Sequence, residues 1–175
     1  SVQHAPDPGR VDYVARLAAN WARLGAKAPA ERKVALVLSN YPARGGRAGY
    51  AVGLDTTEST LEILRLLRAE GYDVGVTDWQ TADIAPLLTD ESPYLRCGNV
   101  IVLLQPDRGS GYHDTSAEPH PDYVAVYAWL RDDEKIDALI HLGTHGTLEW
   151  LPGKALALSS DCWPEKVLGA IPVIY

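Results

Sequence analysis

Hydrophobic residues recur at helical spacing close to the start of the chain. They are Val11, Val14, Leu17, Ala18, Trp21 and Leu24, and Gly25 follows them. Apolar positions three or four residues apart, closed by a glycine, predict an amphipathic helix that packs along its apolar face. An Ala/Pro linker comes next. We therefore predict an N-terminal helix and linker over residues 1–32 and an α/β domain over residues 33–175.

Beyond the linker, unbroken apolar runs of strand length alternate with helical stripes. The predicted strands are Val34 to Leu38, Asp73 to Thr77, Asn99 to Leu104 and Ala138 to Leu142. The predicted helices run from Asp55 or Thr56 to Gly71, from Ile84 to Leu88, and from Tyr123 to Arg131. Continuous apolar strands that alternate with helices are typical of a parallel sheet covered on both faces. We therefore predict an α/β fold with an open, mostly parallel sheet and helices on both faces, doubly wound and Rossmann-like.

The residues that directly follow the strands are the candidate site, because ligands of such sheets bind beyond the carboxyl ends of the strands. They are Asn40 to Pro42, Gln105 to Gly109, and His141 to Gly146. Each group joins a polar side chain to a glycine- or proline-bearing loop, which is expected where backbone approaches a ligand closely.

Composition excludes several classes of partner. The chain has 16 basic and 23 acidic residues and a net charge of -7, which disfavours nucleic acid as a partner. No apolar stretch approaches the ~20 residues of a membrane helix and no signal peptide is recognisable, so we expect a cytoplasmic protein without a membrane partner. Cys97 and Cys162 form no CxxC pair and are expected to be buried thiols. A start at Ser1, with no Met or Phe anywhere, leads us to expect an interior fragment of a longer polypeptide.

The densest group of chemically useful residues is His141, His145 and Glu149, within HLGTHGTLEWLPGK. Gly143 and Gly146 disfavour one continuous helix. We predict a strand end, a turn and a single helical turn, which still lets the three side chains converge. Two imidazoles and a carboxylate suit a divalent metal such as cobalt and also suit proton acceptance. The spacing alone equally allows a buried, structural His141 and a helix-end Glu149, since it matches no established metal motif.

Other signals are weaker. Arg44 and Arg47 lie among glycines, but no phosphate-binding motif is present, so nucleotide binding is not predicted. His113, Asp114, His120 and Asp122 share one loop, where a solvated role is favoured over metal binding. Four aromatic residues lie in or beside the candidate loops, where they either stack on a planar ring or pack in the core; they are Tyr41, Tyr50, Tyr112 and Trp150.

The string HLGTHGTLEWLPGK resembles the signature of the chelatase large-subunit family, which comprises the large subunits of cobaltochelatases and the H subunits of magnesium chelatases. Similarity extends to VALVLSNYPARGGRAGYAVGLDTTESTLEILRLLRAEGY and to the stretches VIVLLQPDRG, YVAVYAWL and CWPEKVLGAIPVIY. Together these cover most positions from Lys33 to Tyr175. EWLPGK, CWPE and SNYP resemble the cobalt branch, whereas GSGYHDTSAEPHPD and RDDEKIDA depart from the family pattern.

The resemblance implies a tetrapyrrole-binding subunit that inserts cobalt(II), its substrate metal, into hydrogenobyrinic acid a,c-diamide during cobalamin biosynthesis. Partner ATPase subunits would use ATP and Mg²⁺, which this chain does not bind. We then expect His141 and His145 to deliver metal or accept protons, with Glu149 completing the metal-binding and catalytic set. Trp150 would contact the ring. The candidates for the peripheral carboxylates and amides are Arg44, Arg47, Arg108 and Lys154.

Three other functions remain open from the sequence. The chain is alternatively the H subunit of a magnesium chelatase, which inserts Mg²⁺ into protoporphyrin IX. It is alternatively a non-catalytic binding or scaffold module whose reactive groups come from elsewhere in the subunit. An independent metal hydrolase is disfavoured, because neither a fourth ligand nor a nucleophile is evident.

Overall fold

The computed structural model describes residues 5–40, 49, 53–75, 78–89, 91–109, 111, 113–143, 147–153 and 159–175. Its helices are α1 (Pro8–Ala26), α2 (Thr56–Ala69), α3 (Thr81–Leu88), α4 (Pro121–Ala128) and α5 (Trp163–Leu168). Its strands are β1 (Val34–Leu38), β2 (Leu95–Cys97), β3 (Val100–Leu104), β4 (Ala138–Leu142) and β5 (Val173–Ile174). Short 3-10 turns span Pro29–Glu31 and Leu148–Trp150, and a π-helical turn at Trp129–Asp133 continues α4.

The described strands form one sheet in the order β2-β3-β1-β4-β5. The central strand β1 pairs in parallel with β3 and β4, β5 is parallel to β4, and β2 is an antiparallel edge strand. Leu38 pairs with Leu104 on one side and with Leu142 on the other, so the three central strands end at the same level. The predicted α/β fold with an open, mostly parallel sheet is therefore confirmed.

Helices cover both faces of this sheet, as predicted. Side chains of α2 and α3, including Leu64 and Ile84, pack on Leu36 and Val102 in one core. On the other face, α4 and α5 pack on β1, β3 and β4 in a second core that contains Tyr123, Tyr127 and Val167. The chain passes from β1 to β3 on one side and then to β4 on the other side of β1. This reversal makes the carboxyl ends of β1, β3 and β4 the switch point at which α/β sheets bind ligands.

The strand predicted at Asp73 to Thr77 is wrong for its described residues, 73–75, which are not extended in the sheet. Gly75 has a φ of 71° and packs against Gly98, a contact too close for a side chain at either position. The edge position belongs instead to β2, which turns back onto β3 through Gly98 and Asn99. Strands of two or three residues, such as β2 and β5, are too short to show a period in sequence.

Helix α1 meets the body of the protein through polar groups. Tyr13 Oη donates to the Gly169 carbonyl at 3.2 Å, Asn20 Nδ2 donates to the Ala170 carbonyl at 2.6 Å, and Lys27 pairs with Asp137 at 2.7 Å.

No residue of α1 is buried. The helix itself is confirmed, but the prediction that its apolar stripe packs is wrong among the described residues, because Val11, Val14 and Trp21 are 55%, 58% and 44% exposed. The division of the chain after residue 32 stays a prediction.

Both cysteines are buried, as predicted, and burial raises the pKa of the Cys97 thiol to about 12. None of the helices in the described part of the chain has the length and hydrophobicity to span a lipid bilayer.

Candidate functional site

The backbone closes tightly where the three central strands end. Ser39 N donates to the Leu142 carbonyl and Gln105 N donates to the Leu38 carbonyl, both at 2.8 Å. Gly143 follows β4 with a φ of 147°, and a Cβ at this position would collide with the Ser39 side chain. Only glycine fits both the backbone conformation and the space, so Gly143 lets the chain pass close to the end of β1 as it leaves β4.

His141 lies at this edge on the sheet face that α4 covers. Its Nε2 is 3.1 Å from Tyr127 Oη, and Gln105 Nε2 donates to the same Tyr127 Oη at 2.7 Å. On the adjacent turn of α4, Tyr123 Oη lies 2.6 Å from Thr147 Oγ1. Both tyrosines are buried, and their rings are 4.9 Å apart. These side chains connect the end of β3, helix α4, the end of β4 and the Leu148–Trp150 turn in one buried polar cluster.

Burial keeps this cluster uncharged near neutral pH. Desolvation lowers the pKa of His141 to about 4, because an imidazolium ion is poorly stabilised away from water. Desolvation also raises the pKa of Tyr123 to about 12 and places that of Tyr127 well above its ordinary value. His141 is therefore a neutral imidazole. Its buried Nδ1 has no hydrogen-bond partner among the described residues.

Glu149 lies on the exposed side of the same edge. It occupies the Leu148–Trp150 turn, and its Oε2 accepts a hydrogen bond from Tyr175 Oη at 2.8 Å. The Tyr175 ring also stands edge-on to the His141 ring, with centroids 5.1 Å apart and an interplanar angle of 76°. Tyr175 thus links the buried imidazole to the exposed carboxylate.

The predicted metal set of His141, His145 and Glu149 stays a prediction, because His145 lies outside the described residues. The described residues alone contain no group of three His, Cys, Asp or Glu side chains suited to a metal ion. What the structure does bring together is His141 and Glu149, through Tyr175.

Arg108 lies beneath the long loop between β3 and α4. It is buried, and its guanidinium donates to three backbone carbonyls, those of Trp150 at 2.6 Å, Asp114 at 2.9 Å and Ala117 at 2.8 Å. Its side chain therefore ties this loop to the turn that carries Glu149. Binding of substrate carboxylates by Arg108 stays a prediction, and these contacts favour a positioning role.

The remaining predicted site residues divide between described and undescribed positions. Trp150 is half-buried, and the His113 ring stands edge-on to it with centroids 4.8 Å apart. His120 caps α4, where its Nδ1 accepts from Asp122 N at 3.3 Å, which fits a structural role for this histidine. The other candidates lie outside the described residues; they are Tyr41, Arg44, Arg47, Tyr50, Tyr112, His145 and Lys154.

Three residues of the site were not among the candidates from sequence, namely Tyr123, Tyr127 and Tyr175. Gln105 was one of the candidates that directly follow a strand. Tyr123 and Tyr127 are four residues apart on a predicted helix, which places them on one face. That spacing was a usable signal, because two phenols on a core-facing stripe need buried hydrogen-bond partners. For Tyr175 no comparable signal exists, since its contacts depend on the position of β5 beside β4.

Comparison with known proteins identifies similar chains. The sequence profile described as CobN/Magnesium Chelatase matches residues 1–92 and 92–175. The aerobic cobaltochelatase subunit CobN of Pseudomonas aeruginosa is 38% identical over 236 residues, covering 99% of this chain and 19% of that protein. The H subunit of the magnesium chelatase of Chlorobaculum parvum is 29% identical over 224 residues, covering 95% of this chain and 18% of that protein.

A solved structure has the same fold. The catalytic subunit of cobaltochelatase from Mycobacterium tuberculosis matches with a TM-score of 0.79 and 33% sequence identity, covering 98% of this chain and 20% of that one. The chain thus spans about one fifth of the length of these relatives.

Proposed function

Because the chain belongs to the CobN/magnesium chelatase family, we propose that it contributes the ring-binding edge of a metal chelatase that inserts cobalt(II) into hydrogenobyrinic acid a,c-diamide. The observation that carries this proposal is that neutral His141 and exposed Glu149 both contact Tyr175 at the carboxyl edge of the sheet. Partner ATPase subunits would hydrolyse ATP with Mg²⁺. Cobalt is favoured over magnesium because identity is 38% to the cobaltochelatase protein and 29% to the magnesium-chelatase protein.

Metal insertion requires groups of the kind found at this edge. Protons must leave the inner nitrogens of the ring, and the incoming ion must exchange water for other ligands. An exposed carboxylate accepts protons and binds hard or borderline cations, and a neutral imidazole is a good ligand for divalent first-row metals. Glu149 would act as proton acceptor, His141 and His145 would pass on the metal, and Tyr175 would orient the Glu149 carboxylate.

The substrate's outer groups require a second set of contacts. Arg44, Arg47 and Lys154 would bind its peripheral carboxylates and amides, and Trp150 would stack on the ring, because guanidinium groups match carboxylates and indole offers a large flat face. Arg108 would hold the loop beside them.

A ring-binding module without catalytic groups is the second candidate. Its support is the burial of His141, which is 6% exposed and has the Tyr175 ring against it. In that function the metal and the proton acceptor come from other parts of the subunit, and the cluster around Tyr127 serves only to shape the edge.

Replacing Glu149 by Gln separates the two functions. In a reconstituted complex that contains the whole subunit and its ATPase partners, we expect Glu149→Gln to lower cobalt insertion at least about 100-fold. The Kd for hydrogenobyrinic acid a,c-diamide, measured from the absorption spectrum of the ring, should change less than about twofold, because Glu149 is not among the residues proposed to hold the ring. Glu70→Gln, on the exposed end of α2, is the matched control. Unchanged turnover in Glu149→Gln would remove Glu149 from the mechanism and favour the module.

A further inference from the structure

The connection between α3 and β2 is short and internally hydrogen-bonded. Glu91 N and Ser92 N both donate to the Pro86 carbonyl, at 3.1 and 3.2 Å, and Ser92 Oγ donates to the Tyr94 carbonyl at 2.9 Å. The Tyr94 ring then packs on Trp129, with centroids 5.0 Å apart. The chain therefore passes from Leu88 to Leu95 in a closed turn, residues 89–94, of which residue 90 is not described.

The relatives contain positions that have no counterpart in this chain. The family profile matches the chain in two stretches that meet at residue 92. The alignment with the Pseudomonas aeruginosa protein spans 236 positions, so at least 61 of them have no counterpart among the 175 residues of this chain. The alignment with the Chlorobaculum parvum protein, of 224 positions, leaves at least 49 without a counterpart. A single long gap at residue 92 accounts for both observations, and we place the extra positions of the relatives there.

The turn at residues 89–94 leads into β2 at the carboxyl edge of the sheet, where the candidate site lies. In the antiparallel pair of β2 and β3, Leu95 faces Val102 and Cys97 faces Val100. The first residue of β2 is therefore two positions, or about 7 Å, from the last residue of β3, Leu104. Gln105, which follows Leu104, is the residue that donates to Tyr127 beneath His141. A segment inserted at residue 92 would emerge beside this carboxyl edge.

We infer that the extra segment of the relatives forms a wall on the β3 side of the ring site, and that this chain, which lacks it, encloses a tetrapyrrole less on that side. The inference rests on the proposed function, since it concerns the same site. Binding sites for organic ligands bury most of the ligand surface. A flat ring that is less enclosed leaves more apolar surface in water, so this chain would bind the ring more weakly than the relatives do and would discriminate less between ring types.

Restoring the segment tests this inference. The Pseudomonas aeruginosa residues without a counterpart are inserted between Glu91 and Ser92 of this chain, and a Gly/Ser linker of equal length at the same place is the control. Each protein is titrated with metal-free hydrogenobyrinic acid a,c-diamide and with protoporphyrin IX. We expect the native segment to lower the Kd for the corrinoid at least about tenfold and the linker to change it less than about twofold. Equal affinities for the two insertions, in folded proteins that bind the ring, would overturn the inference and leave the proposed function intact.

The reciprocal deletion covers the case in which the 175-residue chain binds no ring or the insertion prevents folding. The residues of the Pseudomonas aeruginosa protein that have no counterpart in this chain are deleted from that protein. Residues 89–94 of this chain replace them as the connecting turn. A Kd for the corrinoid that rises at least about tenfold supports a wall at this position. An unchanged Kd in a folded protein overturns it. Absence of ring binding by the 175-residue chain with and without the segment counts against the proposed function only.

Discussion

His141 is oriented by a phenol that is itself held in place. Tyr127 Oη lies between His141 Nε2 and Gln105 Nε2, and all three side chains are buried. The imidazole is held by its hydrogen bond with Tyr127 and by the edge-on contact of its ring with Tyr175. A buried polar group that loses its partner costs more than the bond itself contributed. Removal of the Tyr127 hydroxyl is therefore a sensitive probe of the cluster.

We expect Tyr127→Phe to lower the free energy of unfolding by about 1–3 kcal/mol, because Gln105 and His141 would each lose a buried partner. Urea unfolding monitored by circular dichroism measures this directly. Tyr94→Phe is the matched control, since Tyr94 is 38% exposed, and it should change stability by less than about 0.5 kcal/mol. Equal stabilities of the two variants would mean that water replaces the Tyr127 hydroxyl and that the cluster is not dry.

At the scale of elements, the loop between β3 and α4 and the turn that carries Glu149 form one unit. Arg108 joins them through three carbonyls, which only a planar group with several N–H donors can reach at once. Among their described residues, neither segment pairs with a strand of the sheet. The position of Glu149 therefore depends on a residue 41 positions earlier in the chain.

Arg108→Met keeps most of the side-chain volume and removes the donors. We expect it to destabilise the protein by at least about 2 kcal/mol and to speed amide hydrogen exchange at residues 113–118 and 150–151, with no change in α2. Arg65→Met is the matched control, because the Arg65 side chain is 59% exposed. If Arg108 instead binds substrate carboxylates and holds nothing in place, its replacement would weaken ring binding and leave both stability and hydrogen exchange unchanged.

For the whole molecule, the buried imidazole makes stability depend on pH. The pKa of His141 falls from its ordinary value of 6.5 to about 4 in the folded protein. Between these values the unfolded chain binds a proton that the folded chain does not. The stabilising contribution of neutral His141 is thus fully present above pH 6.5 and is lost as the pH falls toward 4.

This single group should account for about 3 kcal/mol of the stability lost across that interval. The measurement is the free energy of unfolding from pH 7 to pH 4, compared with the same curve for His141→Gln, which has no group titrating in this range. The two curves should converge as the pH falls. Parallel curves would show that the imidazole is accessible to protons in the folded state.

The pattern of apolar residues by itself determined the layers of this protein. Runs such as Val34 to Leu38 are buried on both faces and alternate with helices, and few folds other than a covered parallel sheet satisfy both facts. The same pattern located the edge at which His141 and Gln105 lie. It misplaced the edge strand, because a strand of three residues is too short to show a period. It also wrongly predicted that the stripe of α1 packs, because a helical period is the same whether the apolar face is buried or exposed.

Tertiary structure alone decided the contacts within the site. Residues far apart in the chain, such as Gln105, Tyr127 and His141, meet only after β3 and β4 pair with β1 and α4 packs across them. The depressed pKa of His141 follows from that packing, since burial is a property of the assembled core. The physical reason is that periodicity is local and indicates only which face of a helix or strand is buried. The partner of each buried polar atom depends on how distant elements assemble.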